Sequence, residues 1–281
     1  RSGDLRIVGS DGELSDPVRG VPEVFAVGQG GLLDVALDPD FESNRMLYLS
    51  FAEPGSGGAS TALGRGRFEE DQLRDFEVIF RQEPKVEGPN HFGGRIVFAD
   101  EENLFLTLGE RFKFDPAQDL SNHLGTVVRL KKDGSTPEDN PFVDEEGARD
   151  EIWSYGHRNV QSGAVHPETG NLWIVEMGPL GGDELNQPEK GKNYGWPEVS
   201  WGRNYDGSDI PDPTTRPEFE DAVERYSPVI SPSGMVYYTG SVFPEWSDSF
   251  FVGGLSSRQL VRLEVDGGKL VGEERIPLGR R

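Results

Sequence analysis

Four stretches of the 281-residue chain repeat one local pattern, and that repetition constrains the fold more than any single motif does. They are "GGLLDVALDPDFESNRMLYLSFAE" from Gly30, "GGRIVFADEENLFLTLGE" from Gly93, "SGAVHPETGNLWIVEMG" from Ser162 and "SGMVYYTGSVFPEWSDSFFVGGL" from Ser233. Each is a pair of small residues, a short apolar strand, a polar turn and a second apolar strand. That is one β-hairpin written four times. The copies start roughly 63 to 71 residues apart, far beyond the ~8 to 12 residues between turns in a plain sandwich, which leaves room in each unit for two more strands and a long loop. Four strands per unit describe a propeller blade.

Between the hairpins, "GTVVRLKKDGS" and "RQLVRLEVDGGKL" alternate Val, Leu and Arg as outer strands with one wet face do, and their Asp-Gly steps supply tight turns. A sandwich or a barrel also contains hairpins, but neither explains their recurrence at one long period. The expectation is an all-β fold, a β-propeller with residues 1–281 as a single domain. Four units fit either a small closed propeller or part of a larger one.

Composition narrows the partners. With 28 basic and 50 acidic residues the chain carries a formal charge of −22, spread along the sequence, so a phosphate backbone is repelled and no nucleic-acid partner is expected. The absence of cysteine excludes disulfides and thiolate zinc sites. No apolar run approaches the ~18 to 20 residues of a membrane span. The opening "RSGDLRIVGSDG" holds no signal peptide and reads as mid-domain sequence.

Unusual polar residues fall at equivalent places, just ahead of the inner strands. Gln29 precedes the first hairpin, His91 the second, and Arg158 with Asn159 the third. Strand mouths of a propeller converge on a central pocket, so these side chains share one rim. An imidazole there suits proton abstraction from a hydroxyl, although a loop histidine bonded to backbone is the plainer alternative. A guanidinium beside an amide suits a flat ligand with carboxylates, and equally a loop clamp. The stretch "VEMGPLGGDELN" ends a strand in a Gly178–Pro179 corner that can turn carbonyl oxygens into the cavity, where a hard cation such as calcium would use them, with Asp183 and Glu184 behind. A loop with a solvated acidic turn is the alternative.

Taken together, "GQGGLLDVALDPDF", "NHFGGRIVF", "LFLTLGER", "AQDLSNHLGTVVRL", "EIWSYGHRNVQ", "HPETGNLWIVEMGPLGGDELN", "GKNYGWPEVSWG" and "SPSGMVYY" resemble the soluble pyrroloquinoline-quinone (PQQ) sugar dehydrogenases, the glucose/sorbosone and aldose sugar dehydrogenase family. The motifs occur in the family's order over nearly the whole chain. The resemblance implies a six-bladed propeller, incomplete at both ends in this chain, with PQQ on its axis, calcium beneath it and an aldose above it. It implies oxidation of the sugar C1 hydroxyl to a lactone with hydride passing to PQQ and electrons to an external acceptor, in the periplasm or outside the cell. By motif, His91 matches the base, Gln29, Arg158 and Asn159 match cofactor contacts, Gly178 and Pro179 match the calcium-binding carbonyls, and Arg281 matches the start of an Arg-rich cofactor loop.

The sequence also departs from the family pattern. Ser256 stands where a cofactor-binding Lys is usual, with Arg258 two residues on; Met177 precedes Gly178 where a polar residue is common; and Tyr226 lies near a usual Trp. These departures, with the length, keep open a second reading: a non-catalytic propeller that binds sugar or a protein partner.

Overall fold

A computed structural model describes residues 3–279 of the chain. Each repeat folds as a four-stranded antiparallel sheet whose strands follow one another in sequence order. The first sheet comprises β1 (Leu32–Leu37), β2 (Met46–Gly55), β3 (Gly58–Glu69) and β4 (Gln72–Arg81). The second is β5 (Gly93–Phe98), β6 (Asn103–Leu108), β7 (Thr126–Lys131) and β8 (Ile152–Tyr155). In the third, β9 (Val160–Val165), β10 (Leu172–Glu176), β11 (Asp183–Asn186) and β12 (Glu224–Tyr226) follow, and the fourth holds β13 (Pro232–Tyr237), β14 (Ser249–Gly254), β15 (Gln259–Asp266) and β16 (Lys269–Pro277). The four hairpins read from sequence are β1–β2, β5–β6, β9–β10 and β13–β14.

The sheets stand face to face, and the core lies between them. Along β10, alternate residues serve two neighbours: Leu172 and Ile174 pack with Val97, Phe105 and Val127 of the second sheet, while Trp173 and Val175 pack with Phe250, Val252, Val261 and Leu263 of the fourth. Both faces are dry, so "LWIV" is continuously apolar instead of alternating. The same holds for β6, whose Leu104, Leu106 and Leu108 meet Tyr48, Leu63 and Phe80 of the first sheet while Phe105 points the other way. By contrast, Val35, Leu37 and Val236 on the inner strands of the first and fourth sheets are exposed.

The innermost strands touch in order, β1 to β5 to β9 to β13. Buried hydroxyls fasten each blade to the next, from the second strand in the first two blades and from the innermost strand in the third: Ser50 Oγ donates to the Gly94 carbonyl at 2.5 Å, Thr107 Oγ1 to Val160 at 3.1 Å and Ser162 Oγ to Ser233 at 2.8 Å. Such rungs satisfy backbone oxygens that the blade-to-blade packing removes from water. They also align the mouths of the inner strands at one end of the molecule. Among the described residues, no helix is long and apolar enough to cross a membrane.

Candidate active site at the strand mouths

His91 sits in the loop entering β5, almost fully buried, with its backbone in the left-handed region at φ 54°. Three contacts hold it there. Its backbone N–H donates to Gln29 Oε1 at 2.7 Å, its ring meets Phe112 edge to face at 5.0 Å, and Nδ1 lies 2.5 Å from Glu110 Oε1. Glu110 is completely buried just beyond β6; its second oxygen accepts the backbone N–H groups of Lys113 and Phe114, and its own N–H donates to the Arg158 carbonyl at 3.0 Å. A carboxylate at Nδ1 selects the tautomer with the proton on that nitrogen and leaves the Nε2 lone pair free. Burial holds the His91 pKa below that of an ordinary imidazole; the hydrogen bond to Glu110 opposes this, and the positive charges of Arg158 and Arg111 reinforce it.

Arg158 enters from the loop before β9. Its backbone N–H donates to Glu176 Oε2 at 2.8 Å, Nη1 to the carbonyls of Met177 and Gly178 at 2.9 and 2.8 Å, and Nη2 to the Tyr205 hydroxyl at 3.1 Å. Trp196 and Tyr205 lie within cation–π reach of the guanidinium, and Nε is buried without a partner among the described residues. Nη1 and Nη2 thus clamp the loop after β10, as the alternative reading has it, and Nε is the donor left for a further, anionic acceptor. Phe112, Phe114, Arg158, Pro179, Trp196 and Tyr205, with Asn204 and Asp206, line an open pocket of about 230 Å³. His91, through Phe112, and the Gly178–Pro179 corner therefore share one end of the molecule.

The corner follows β10 as the sequence implies. Gly178 N–H donates to Asp183 Oδ1 at 2.9 Å, and a side chain at Gly178 would place its Cβ 2.2 Å from the Gly182 carbonyl, so only glycine closes this loop. Asp183 is no solvated turn residue: it is buried at the start of β11, its other oxygen accepts Ser231 N–H at 2.8 Å, and burial raises its pKa despite these bonds. Burial and the neighbouring Glu176 also push Glu184 well above the usual carboxylate range. The Gly178 oxygen faces the Arg158 guanidinium. No cluster of three His, Asp or Glu able to hold a metal occurs among the described residues, so a cation here would rest on main-chain oxygens.

The other sequence expectations fall out unevenly. Asn159 is buried; its Oδ1 accepts Gly93 N–H at 3.2 Å and Gln161 Nε2 at 3.1 Å, and its Nδ2 is directed at Met177 Sδ. Ser256 bonds Ser231 Oγ and the Val229 carbonyl, so it supplies no cation; Arg258 is exposed. Arg281 lies outside the described residues. Glu110, Phe112, Trp196 and Tyr205 were not singled out from sequence, yet they complete the site. A larger cleft of about 620 Å³, lined by His166, Tyr237 and several acids, lies between the third and fourth sheets at the ends of β9 and β13 remote from these residues.

The chain is 46% identical over 286 residues to the aldose sugar dehydrogenase YliI of Escherichia coli, covering 98% of this chain and 76% of that protein. It is 34% identical to quinoprotein glucose dehydrogenase B of Acinetobacter calcoaceticus over 64% of this chain and 43% of that protein. The apo structure of the soluble E. coli aldose sugar dehydrogenase superposes with a TM-score of 0.93 at 45% identity, covering 99% of this chain and 82% of that one. The PQQ-bound aldose sugar dehydrogenase of Streptomyces coelicolor gives a TM-score of 0.78 at 29% identity, over 98% and 75% of the two chains. The family model described as glucose/sorbosone dehydrogenase matches residues 1–281, and the chain belongs to that family.

Proposed function

We propose that this protein is a PQQ-dependent sugar dehydrogenase that oxidises the C1 hydroxyl of an aldose to the lactone, with His91 as general base. The observation that carries this reading is the His91–Glu110 pair packed on Phe112, at the edge of a cavity that also reaches Arg158 and Pro179. Glu110 takes the Nδ1 proton as a hydrogen bond and turns the Nε2 lone pair toward incoming substrate, where it accepts the C1 hydroxyl proton. Burial and the two nearby guanidinium groups favour neutral imidazole, the form a base requires. The quinone, when bound, supplies the two-electron acceptor for the C1 hydride.

Arg158 would hold a quinone carboxylate through its unpartnered Nε, with Trp196 and Tyr205 against the flat ring and the Asn159 amide alongside. Gln29 acts on the same site through the His91 backbone. The carbonyls of Gly178 and Pro179 are the oxygens a calcium ion would use; the Gly178 oxygen also accepts from Arg158 Nη1. The reading extends to an external electron acceptor and to the periplasm or cell exterior as the place of work.

The test is aldose-dependent dye reduction by protein supplied with PQQ and calcium. His91→Asn is expected to lower kcat by roughly 10²- to 10⁴-fold, the usual contribution of a positioned base. Retention of wild-type kcat in that variant removes His91 from the chemistry.

A further inference from the structure

Arg111 follows Glu110 directly, and beyond its charge near His91 the mechanism above gives it no task. It is nonetheless among the most deeply buried large side chains, with no measurable exposure. Its guanidinium carbon lies 3.5 Å from the centre of the Phe92 ring. Nη2 donates to the Gly88 carbonyl at 2.6 Å, Nε and Nη2 reach the Ala59 carbonyl at 3.4 Å, and the backbone N–H donates to the His91 carbonyl at 3.2 Å. Gly88, His91 and Phe92 belong to one loop, so a single residue grips the segment carrying His91 at three points.

Among the described residues no carboxylate hydrogen-bonds this guanidinium, and Nη1 is buried without a partner. Burying a cation in this way is costly, and an apolar side chain would fill the space without that penalty. The backbone is unusual as well: Arg111, Phe112 and Phe114 have φ of 60°, 61° and 65°, in the left-handed region that non-glycine residues seldom occupy. Strained backbone gathered beside a reactive group is a known mark of a functional site. Burial lowers the Arg111 pKa to about 10, which leaves it charged at neutral pH.

We propose that Arg111 is a positioning residue for the oxidation: it clamps the 88–92 loop that carries His91 and places a fixed positive charge next to Glu110 in sequence. This rests on the reading of His91 as the base. The charged groups acting on His91 are Glu110, which favours the protonated ring, and Arg158 and Arg111, which oppose it. A planar fork stacked on a ring and bonded to two carbonyls is not reproduced by lysine, so clamp and charge can be separated by mutation.

The experiment compares Arg111→Met and Arg111→Lys. The titration of His91 is followed by NMR in cofactor-free protein, and kcat and KM by dye reduction in protein supplied with PQQ and calcium. Arg111→Met, which removes both contributions, is expected to shift the His91 titration upward and lower kcat on the order of tenfold or more, with KM little changed. Arg111→Lys keeps the charge and loses the fork; it is expected to restore the titration but not kcat. An unchanged titration in folded Arg111→Met overturns the proposal, as does wild-type kcat in Arg111→Lys should the methionine variant fail to fold. If the methionine variant moves the titration and leaves kcat untouched, Arg111 acts on His91 as stated and the base role of His91 is what fails.

Discussion

Glu110 decides what His91 can do, because the same imidazole without a carboxylate at Nδ1 is free to adopt either tautomer. Glu110→Gln keeps the size and removes the charge. Outer partners of this kind typically contribute roughly 10- to 100-fold to activity, and a loss of kcat in that range is expected. The pH profile gives the sign. Since the His91 pKa lies below its ordinary value of 6.5, the acid limb of kcat/KM should fall below that pH, with activity lost as the ring protonates. Removing Glu110 takes away a nearby charge that attracts the proton, so the limb should move lower still, opposite in direction to the shift expected for Arg111→Met. A higher-pH limb in Glu110→Gln would contradict this electrostatic picture. Glu110 was legible in principle: His91 and Glu110 are 19 residues apart, and His157 and Glu176, one repeat later, pair at 2.9 Å with the same separation of 19. The paired spacing was in the sequence, but it gains meaning only once equivalent strands are known to end side by side.

At the scale of elements, the hairpins were legible because inner strands of middle blades are dry on both faces and write themselves as apolar runs. Strand β11, "DELN", was not. Its acids look like a solvated turn, yet Asp183 is buried by the N–H groups of Gly178 and Ser231, and Asn186 Nδ2 reaches Glu176 Oε1 at 3.2 Å. Hydrogen bonds from distant segments offset the burial of these groups, and no local periodicity records such partners. The aromatic wall was hidden for the same reason: Phe112, Trp196 and Tyr205 come from two loops whose paths packing alone determines. The hydroxyl rungs between blades allow a direct check on how the elements are held. Thr107 Oγ1 accepts Arg95 N–H at 3.0 Å and donates to the Val160 carbonyl at 3.1 Å, all within buried or half-buried surroundings. Thr107→Val preserves shape while leaving one donor and one acceptor unsatisfied, so a loss of about 1 to 3 kcal/mol is expected in denaturant unfolding. A stability equal to wild type would mean that water or backbone movement satisfies both groups.

The whole molecule carries 22 more acidic than basic side chains, and this excess should govern its response to salt. Many of the basic groups are already engaged at the surface, as in Arg67 with Asp75, Lys192 with Glu220 and Arg216 with Glu218. Pairs of this exposed kind contribute little, with a median of about 0 to 1 kcal/mol each, and screening them loses little. The unpaired acids repel one another over longer distances. Raising ionic strength from about 0.01 M to 0.15 M shortens the Debye length from about 30 Å to 8 Å, which suppresses repulsion across the domain while contacts within 4 Å are affected far less. Self-repulsion destabilises the compact state more than the expanded chain. The melting temperature should therefore rise over this salt range at pH 7, with sodium chloride and potassium chloride acting alike because the effect is screening and not a specific site. A melting temperature that falls with salt would mean that the ion pairs outweigh the net charge, and a rise confined to one cation would point to specific binding instead.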